Sequence, residues 1–157
     1  MANMKYLLFS TILIPTFFIN STIADDKMKA EIKLSRNLAK TLALVCMVYA
    51  GDNKDNYPNS IDDIIKYDPE NKKLYMKIKV RFEYFGKGKK YPSMWGPNRK
   101  PDMTKKAEAV AYDKILLEKS DSTVVLFTDG HNEIHKADKL KSLGIIIKKD
   151  KKLEKLK

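Results

Sequence analysis

The chain has 157 residues, a length that suits one small domain with a modest core. Its formal net charge of +11 comes almost wholly from lysine, since arginine occurs only at Arg36, Arg81 and Arg99. Proteins that read base sequence depend on arginine forks, so this composition argues against specific nucleic-acid binding and favours loose attraction to polyanions.

The first 24 residues follow the order of a secretory signal peptide. Lys5 supplies a short positive start, residues 6–19 are almost wholly apolar, and small residues precede a cleavage site after Ala24. The apolar run of about 14 residues is shorter than the ~20 that a membrane-spanning helix needs, and Pro15 would weaken such a span. The sequence therefore predicts a cleaved signal peptide and export to the periplasm or medium. The alternative is an inner-membrane anchor formed by residues 6–24.

Two helices are expected early in the mature chain. Apolar residues recur at spacings of three and four over residues 27–50, and Gly51 is expected to end this helix. The stretch 42–48 is apolar all round, which predicts burial on most sides. Ser60 can cap a second helix over residues 61–67, which Asp68-Pro69 would end.

The strands are expected later. Alternation or apolar runs predict strands over residues 80–85, with Val80, Phe82 and Tyr84 on one face, and over residues 109–112, 124–128 and 131–135. Asp129-Gly130 predicts the turn of a hairpin, and residues 137–143 predict a short helix ending at Gly144. Together these elements predict an α+β fold in which a long N-terminal helix packs on a small antiparallel sheet. One domain is expected over residues 25–147, followed by a charged, fraying tail over residues 148–157.

Two stretches carry a family resemblance. The first, residues 40–58, is an apolar helix end followed by a polar loop and Tyr57-Pro58; the second is Ala111-Tyr112-Asp113 followed by Phe127-Thr128-Asp129-Gly130-His131. They resemble pilin-like proteins labelled prepilin-type processing-associated H-X9-DG proteins and, more distantly, the major pseudopilins of type II secretion. The resemblance covers residues 36–58 and 110–144 and implies a pilin-type head. It implies structural roles for Tyr49, Tyr57, Pro58, Phe127, Asp129 and Gly130.

The chain departs from this family at two points. Lys119 occupies the position of the histidine for which the family is labelled, and no Gly-Phe-Thr-Leu-x-Glu processing site is present. A signal peptide stands where the assembling stem would be. The resemblance implies an exported, non-enzymatic protein with a structural, assembly or secretion-associated role in the bacterial envelope. Its partners would be envelope or secretion-system proteins, and it would contact the membrane only if the N-terminal segment were retained.

A second hypothesis is a secreted or periplasmic module that binds an anionic polymer or glycan. Its candidate surface is an aromatic and basic loop formed by Lys89, Lys90, Tyr91, Trp95, Arg99 and Lys100. Aromatic rings between cations can stack bases or sugars while the cations hold the charged backbone. The alternative is that Trp95 folds back to cover one end of the core.

A third hypothesis is a small metal-dependent hydrolase. Asp129, His131 and His135, with Glu133, are the residue types that hold zinc or another divalent ion. The Asp-Gly turn interrupts the alternation, however, so Asp129 need not share a face with His131. The sequence therefore favours histidines that serve the hairpin, and it predicts no cofactor.

Two further candidate sites have a plainer interpretation. Asp52, Asn53, Asp55 and Asn56 offer oxygen ligands for calcium, but their spacing is not that of an EF-hand, so a solvated loop is favoured. Cys46 is the only cysteine, which excludes an internal disulfide. Its apolar neighbours predict burial rather than a catalytic thiolate.

Overall fold

The fold is α+β, as the sequence predicted. A computed structural model describes residues 17–92 and 106–147, with side chains from Asp25 onward. Its helices are α1 (Phe17–Asp52), α2 (Ile61–Tyr67), α3 (Lys72–Arg81), α4 (Lys114–Ser120) and α5 (Ala137–Leu140), with 3-10 turns at Pro69–Asn71 and Lys141–Leu143. Its strands are β1 (Phe82–Tyr84), β2 (Ala109–Asp113), β3 (Ser122–Phe127) and β4 (Asn132–Lys136).

The four strands form one sheet in the order β1-β2-β3-β4, and each neighbouring pair is antiparallel. Because successive side chains of a strand point to opposite faces, β3 serves two cores. Val124 and Leu126 pack with α1, whereas Val125 and Phe127 pack with Leu140 at the other face. The sheet therefore separates a large helix-covered core from a smaller one.

The long helix lies on the sheet because its inward face is apolar and partly small. Leu42 and Cys46 are fully buried, and Ala43 lies beside the turn between β3 and β4. The helix runs past Gly51 to Asp52, so the prediction that Gly51 ends it was wrong. The chain turns instead at Lys54 and Asp55, which both have positive φ.

The end of α1 needs no glycine because the following loop satisfies its carbonyls. The Asn53 side-chain amide donates to the Tyr49 carbonyl over 2.8 Å. The main-chain nitrogens of Asn53 and Asp55 both donate to the Ala50 carbonyl, over 3.1 and 2.8 Å. The polar loop thus acts as a C-cap.

Ser60 caps α2 as predicted, since its hydroxyl accepts from the Asp63 main-chain nitrogen over 3.2 Å. The predicted strand over residues 80–85 was wrong at its start. Val80 belongs to α3 and is exposed, and the strand begins at Phe82. Helical continuation to Arg81 places its guanidinium against Asp113 in the protein interior. The hairpin of β3 and β4 and the helical end at Gly144 are confirmed.

The predicted signal peptide and tail fall mainly on residues that lie outside the described ranges, namely 1–16 and 148–157. The α1 backbone is helical from Phe17, so the predicted cleavage site after Ala24 lies within this helix. Among the helices of the described residues, none combines the length and apolarity needed to cross a membrane.

Candidate functional site

A groove of about 680 Å³ lies between α1 and the connection from α2 to α3. Leu44 and Val48 of α1 form one wall, and Tyr67 and Leu74 contribute to the other. The 3-10 turn between α2 and α3 carries the chain around the end of the groove. The groove thus joins two segments that are far apart in the sequence.

The α1 wall is an apolar face without a cover. Thr41, Leu44 and Val48 are spaced by three and four residues and so share one side of the helix. Leu44 is 63% exposed and Val48 is 54% exposed, while Leu42 and Cys46 on the inner side are fully buried. The expected burial of residues 42–48 on most sides is confirmed by Leu42, Ala43, Val45 and Cys46, but Leu44 and Val48 leave one side open. The sheet covers one side of this apolar stretch, and no described element covers the outer side.

The opposite wall carries negative charge. The Tyr75 hydroxyl donates to Asp68 over 2.5 Å, and this bond is the main reason that the pKa of Asp68 lies below its usual value. The Tyr67 hydroxyl likewise donates to Asp52, a bond that raises the pKa of Tyr67. Together with exposed Glu70, these groups place carboxylates around the groove.

These carboxylates are not neutralised. No lysine or arginine lines the groove, and within the described residues Asp52, Asp68 and Glu70 form no ion pair. The net charge of the chain is +11, so the acidic rim of this apolar groove has a charge opposite in sign to that of the chain as a whole. The chemistry of the groove is complementary to that of an apolar ligand that carries positive charge.

Both hairpin histidines lie close to carboxylates. His131 Nδ1 contacts Asp129 Oδ1, and His135 Nε2 lies 3.0 Å from Glu133 Oε2. The sequence left open whether Asp129 faces His131, and the structure brings them together. The His131 ring also stacks on Phe127, with centroids 4.4 Å apart. Over residues 25–92 and 106–147, no group of three or more His, Cys, Asp and Glu side chains is arranged to hold a metal ion.

The two stretches that carried the family resemblance meet in space. The Tyr57 hydroxyl donates to the Thr128 carbonyl over 2.8 Å, and the Tyr84 hydroxyl donates to the Pro58 carbonyl over the same distance. Gly130 in the hairpin turn has φ +87°, a conformation that favours glycine. Tyr57 therefore holds the loop after α1 against the hairpin, and Tyr84 holds the same loop against β1.

The other two resemblance residues contribute to the groove and to the smaller core. The Tyr49 ring meets the Tyr67 ring edge to face at 5.2 Å and so braces one wall of the groove. Phe127 is buried in the smaller core beside Val125 and Leu140.

The predicted aromatic and basic surface is only partly described. Tyr91 is 7% exposed and packs against Tyr57, so its ring is not presented to a ligand. Lys89 forms an ion pair with Glu108 at 2.5 Å, and Lys90 is exposed. Trp95, Arg99 and Lys100 lie outside the described residues.

Cys46 is buried, as predicted, and burial raises the pKa of its thiol to about 12. A thiol with this pKa is a poor nucleophile at neutral pH because almost none of it is ionised. In the loop that follows α1, which was expected to be solvated rather than to bind calcium, the Asn53 and Asn56 amides both donate to main-chain carbonyls over 2.8 Å. Both amides therefore serve the fold of the loop.

Sequence reasoning missed a buried charge network. The Arg81 guanidinium donates to Asp113, which is fully buried, and to Glu31 over 2.8 Å. Lys119 pairs with Glu31 over 2.7 Å. The bonds from Lys119 and Arg81 hold the pKa of Glu31 below its usual value. The network runs from the buried Asp113 to the half-exposed Lys119 and ties α1, α3, β2 and α4 together, so its role is to hold the fold.

The groove was also missed, because each wall is unremarkable alone. The only local signal was the excess of apolar residues on α1, which was interpreted as core.

A comparison of the chain with protein-family models, curated proteins and solved structures found no match in any of the three.

Proposed function

We propose that the protein is an exported, non-enzymatic structural or assembly protein of the bacterial envelope, and that it works by binding a protein helix in the groove between α1 and the α2–α3 connection. The observation that carries this proposal is the exposure of Leu44 and Val48 on a helix whose other side is core. Two aliphatic side chains held in water beside Leu74 and Tyr67 are stabilised when a partner covers them.

The chemistry of the partner follows from the two kinds of group in the groove. Apolar walls accept the apolar face of an amphipathic helix, which places its anchors three and four residues apart. The carboxylates of Asp68 and Glu70 favour lysine or arginine beside those anchors. We therefore expect the occupant to be an apolar helix that bears lysines.

Separate observations support the non-enzymatic part of this proposal. The single thiol of the chain is in the core, with a pKa raised to about 12. His131 contacts Asp129 and stacks on Phe127, whereas His135 Nε2 lies 3.0 Å from Glu133 Oε2 without forming a hydrogen bond. These contacts give the histidines a structural role in the hairpin.

Export is tested by the start of the mature chain. The protein is produced from its full sequence, cell fractions are separated, and the N-terminus is determined by mass spectrometry. The proposal expects a start at Asp25 in the periplasm or medium. An intact start at Met1 or Ala2 in the inner membrane would contradict a released domain and identify residues 6–24 as an anchor.

The groove is tested by a charged substitution in the same cells. Val48→Asp adds a like charge to the acidic groove, and Ile146→Asp places the same charge at another exposed aliphatic residue. The proposal expects wild type and Ile146→Asp to sediment with a large envelope complex and Val48→Asp to be released from it. Equal sedimentation of all three proteins would refute a role for the groove.

A further inference from the structure

We propose that the helix which fills the groove is α3 of a second copy of this chain, so that copies join head to tail. This inference rests on the proposed function because it names the partner of the same groove. It is carried by a second surface of the molecule, the outer face of α3, whose chemistry matches the groove.

The outer face of α3 presents an apolar pair to solvent. Met76 is 43% exposed and Val80 is 63% exposed, and their spacing of four residues places them on one side of the helix. Tyr75 and Ile78 on the other side of α3 are buried in the core. Met76 and Val80 are thus anchors of the kind that a groove in another protein accepts.

Two lysines flank these anchors. Lys73 and Lys77 are exposed, and each lies three residues before one of the anchors, Met76 and Val80 respectively, so both share their face of α3. Neither lysine pairs with a carboxylate among the residues that the structure describes. The outer face of α3 therefore has an apolar centre with unpaired positive charge beside it.

The groove and the outer face of α3 complement each other in apolar contact and in charge. The groove offers Leu44, Val48 and Leu74 as apolar walls and Asp68 and Glu70 as unpaired carboxylates. The full chain has a net charge of +11, of which the predicted signal peptide contributes only Lys5, so mature copies repel each other overall and contact between regions of opposite charge favours association. Docking the α3 face into the groove provides such a contact, and it buries both exposed apolar pairs.

The contact joins different surfaces, which determines the kind of assembly. An interface between two unlike patches is heterologous and leaves one free patch of each kind at the ends. Copies therefore add in open chains or close into rings, and they do not stop at a symmetric dimer. Within one copy, Leu74 of α3 lines the groove of that copy and Met76 of α3 docks into the groove of the next copy. Two successive interfaces therefore share one helix.

The experiment uses the mature protein purified from cells that produce the full chain. Sedimentation velocity is measured from micromolar to millimolar concentration for the wild type, Val48→Asp, Val80→Asp and the control Ile146→Asp. All three substituted positions are exposed, and circular dichroism melting verifies that the variants remain folded. The inference expects wild type and Ile146→Asp to grow beyond dimers and each of the other two variants to stay monomeric.

Mixing the two monomeric variants is the decisive step. Val48→Asp retains an intact α3 face and Val80→Asp retains an intact groove, so their mixture should form a dimer and nothing larger. A mixture that remains monomeric, or assembly by Val48→Asp alone, would overturn the inference.

Two outcomes separate this inference from the proposed function. If the wild type is monomeric at every concentration and Val48→Asp still leaves the envelope complex, the groove binds another protein and the self-contact is refuted. If removal of residues 148–157, which contain Leu153, Leu156 and several lysines, abolishes assembly while Val80→Asp does not, the tail is the occupant and α3 is not.

Discussion

Tyr57 donates its hydroxyl hydrogen to the main-chain carbonyl of Thr128 over 2.8 Å, and this bond ties the loop after α1 to the β3–β4 hairpin. The residues are 71 positions apart in the sequence, and the bond is buried. Thr128 is fixed from its other side, since its main-chain nitrogen donates to the Glu108 carbonyl over 2.8 Å. The loop that ends the long helix and the turn that sets the strand register therefore depend on each other.

Replacing Tyr57 with phenylalanine should lower the free energy of unfolding by about 1–3 kcal/mol, because it leaves a buried carbonyl without this donor. Urea denaturation followed by circular dichroism measures the loss. Tyr67→Phe is the control, since Tyr67 donates to the exposed carboxylate of Asp52. A loss at Tyr57 no larger than that at Tyr67 would show that the bond to Thr128 does not stabilise the fold.

Stability should fall at alkaline pH because of the buried tyrosines. Burial raises the pKa of both Tyr57 and Tyr84 above the ordinary value of 10.0. Above pH 10.0 the unfolded chain releases these phenolic protons and the folded chain retains them, so unfolding becomes more favourable as pH rises. Below this value both states are protonated and these groups add no pH dependence. Urea midpoints measured between pH 8 and about pH 11 should fall less steeply for Tyr84→Phe than for wild type.

Removal of the Asp113 carboxylate should be far more costly than removal of a surface charge. Asp113→Ala leaves the Arg81 guanidinium without its buried partner and removes the cap of α4, where the Leu116 nitrogen donates to Asp113 over 2.9 Å. We expect a loss of about 3–5 kcal/mol in the free energy of unfolding.

The surface pair of Lys79 and Asp62 provides the comparison, because both side chains are about half exposed. Lys79→Ala should change the free energy of unfolding by about 1 kcal/mol or less. The double variant Arg81→Met with Asp113→Leu should recover part of the loss, since it removes both buried charges. Similar losses for Asp113→Ala and Lys79→Ala would contradict a stabilising role for the buried network.

Substitution by alanine should have opposite effects on stability at two glycines. Gly130 has φ +87°, and a Cβ there would lie 3.3 Å from the Met47 sulfur, so Gly130→Ala should destabilise by roughly 1–2 kcal/mol. Gly51 lies within α1 with open space around its Cα, so Gly51→Ala should stabilise by roughly 0.5–1 kcal/mol. Thermal melts of the two variants measure both effects, and a stabilised Gly130→Ala would refute the described turn.

Elements with strong local signals could be predicted from the sequence. The Asp129-Gly130 turn between apolar strands identified the hairpin, and Ser60 before an acidic first turn identified α2. Such signals act over a few residues and do not need the rest of the fold. The general arrangement of a long helix on an antiparallel sheet followed from the order of these elements.

The secondary structure of short segments with mixed periodicity was harder to predict. Val80 alternates with Phe82 and Tyr84 as in a strand, but it is also four residues from Met76 as in a helix, and the position of Arg81 over Asp113 favours the helix. The seven-residue helix α4 was missed because Asp113 ends a strand and caps the helix at the same time. In both cases a contact between distant residues determines the local structure.

The groove could not have been predicted because it needs two segments to meet. Leu44 and Val48 suggested a core position, and only the packing of α1 on the sheet shows which of its sides remains open. Tyr67 and Leu74 give no signal of a binding surface until the chain brings them opposite this side.

The most direct test of this account is photocrosslinking at the groove in living cells. A photoreactive amino acid replaces Leu44 in the full-length chain, and Ile146 is replaced in the same way as a control. The account predicts protein adducts from position 44 whose crosslinked peptides map to a lysine-bearing apolar helix, with few adducts from position 146. If position 44 yields no more protein adducts than position 146, the groove is not a docking surface and the central claim is contradicted.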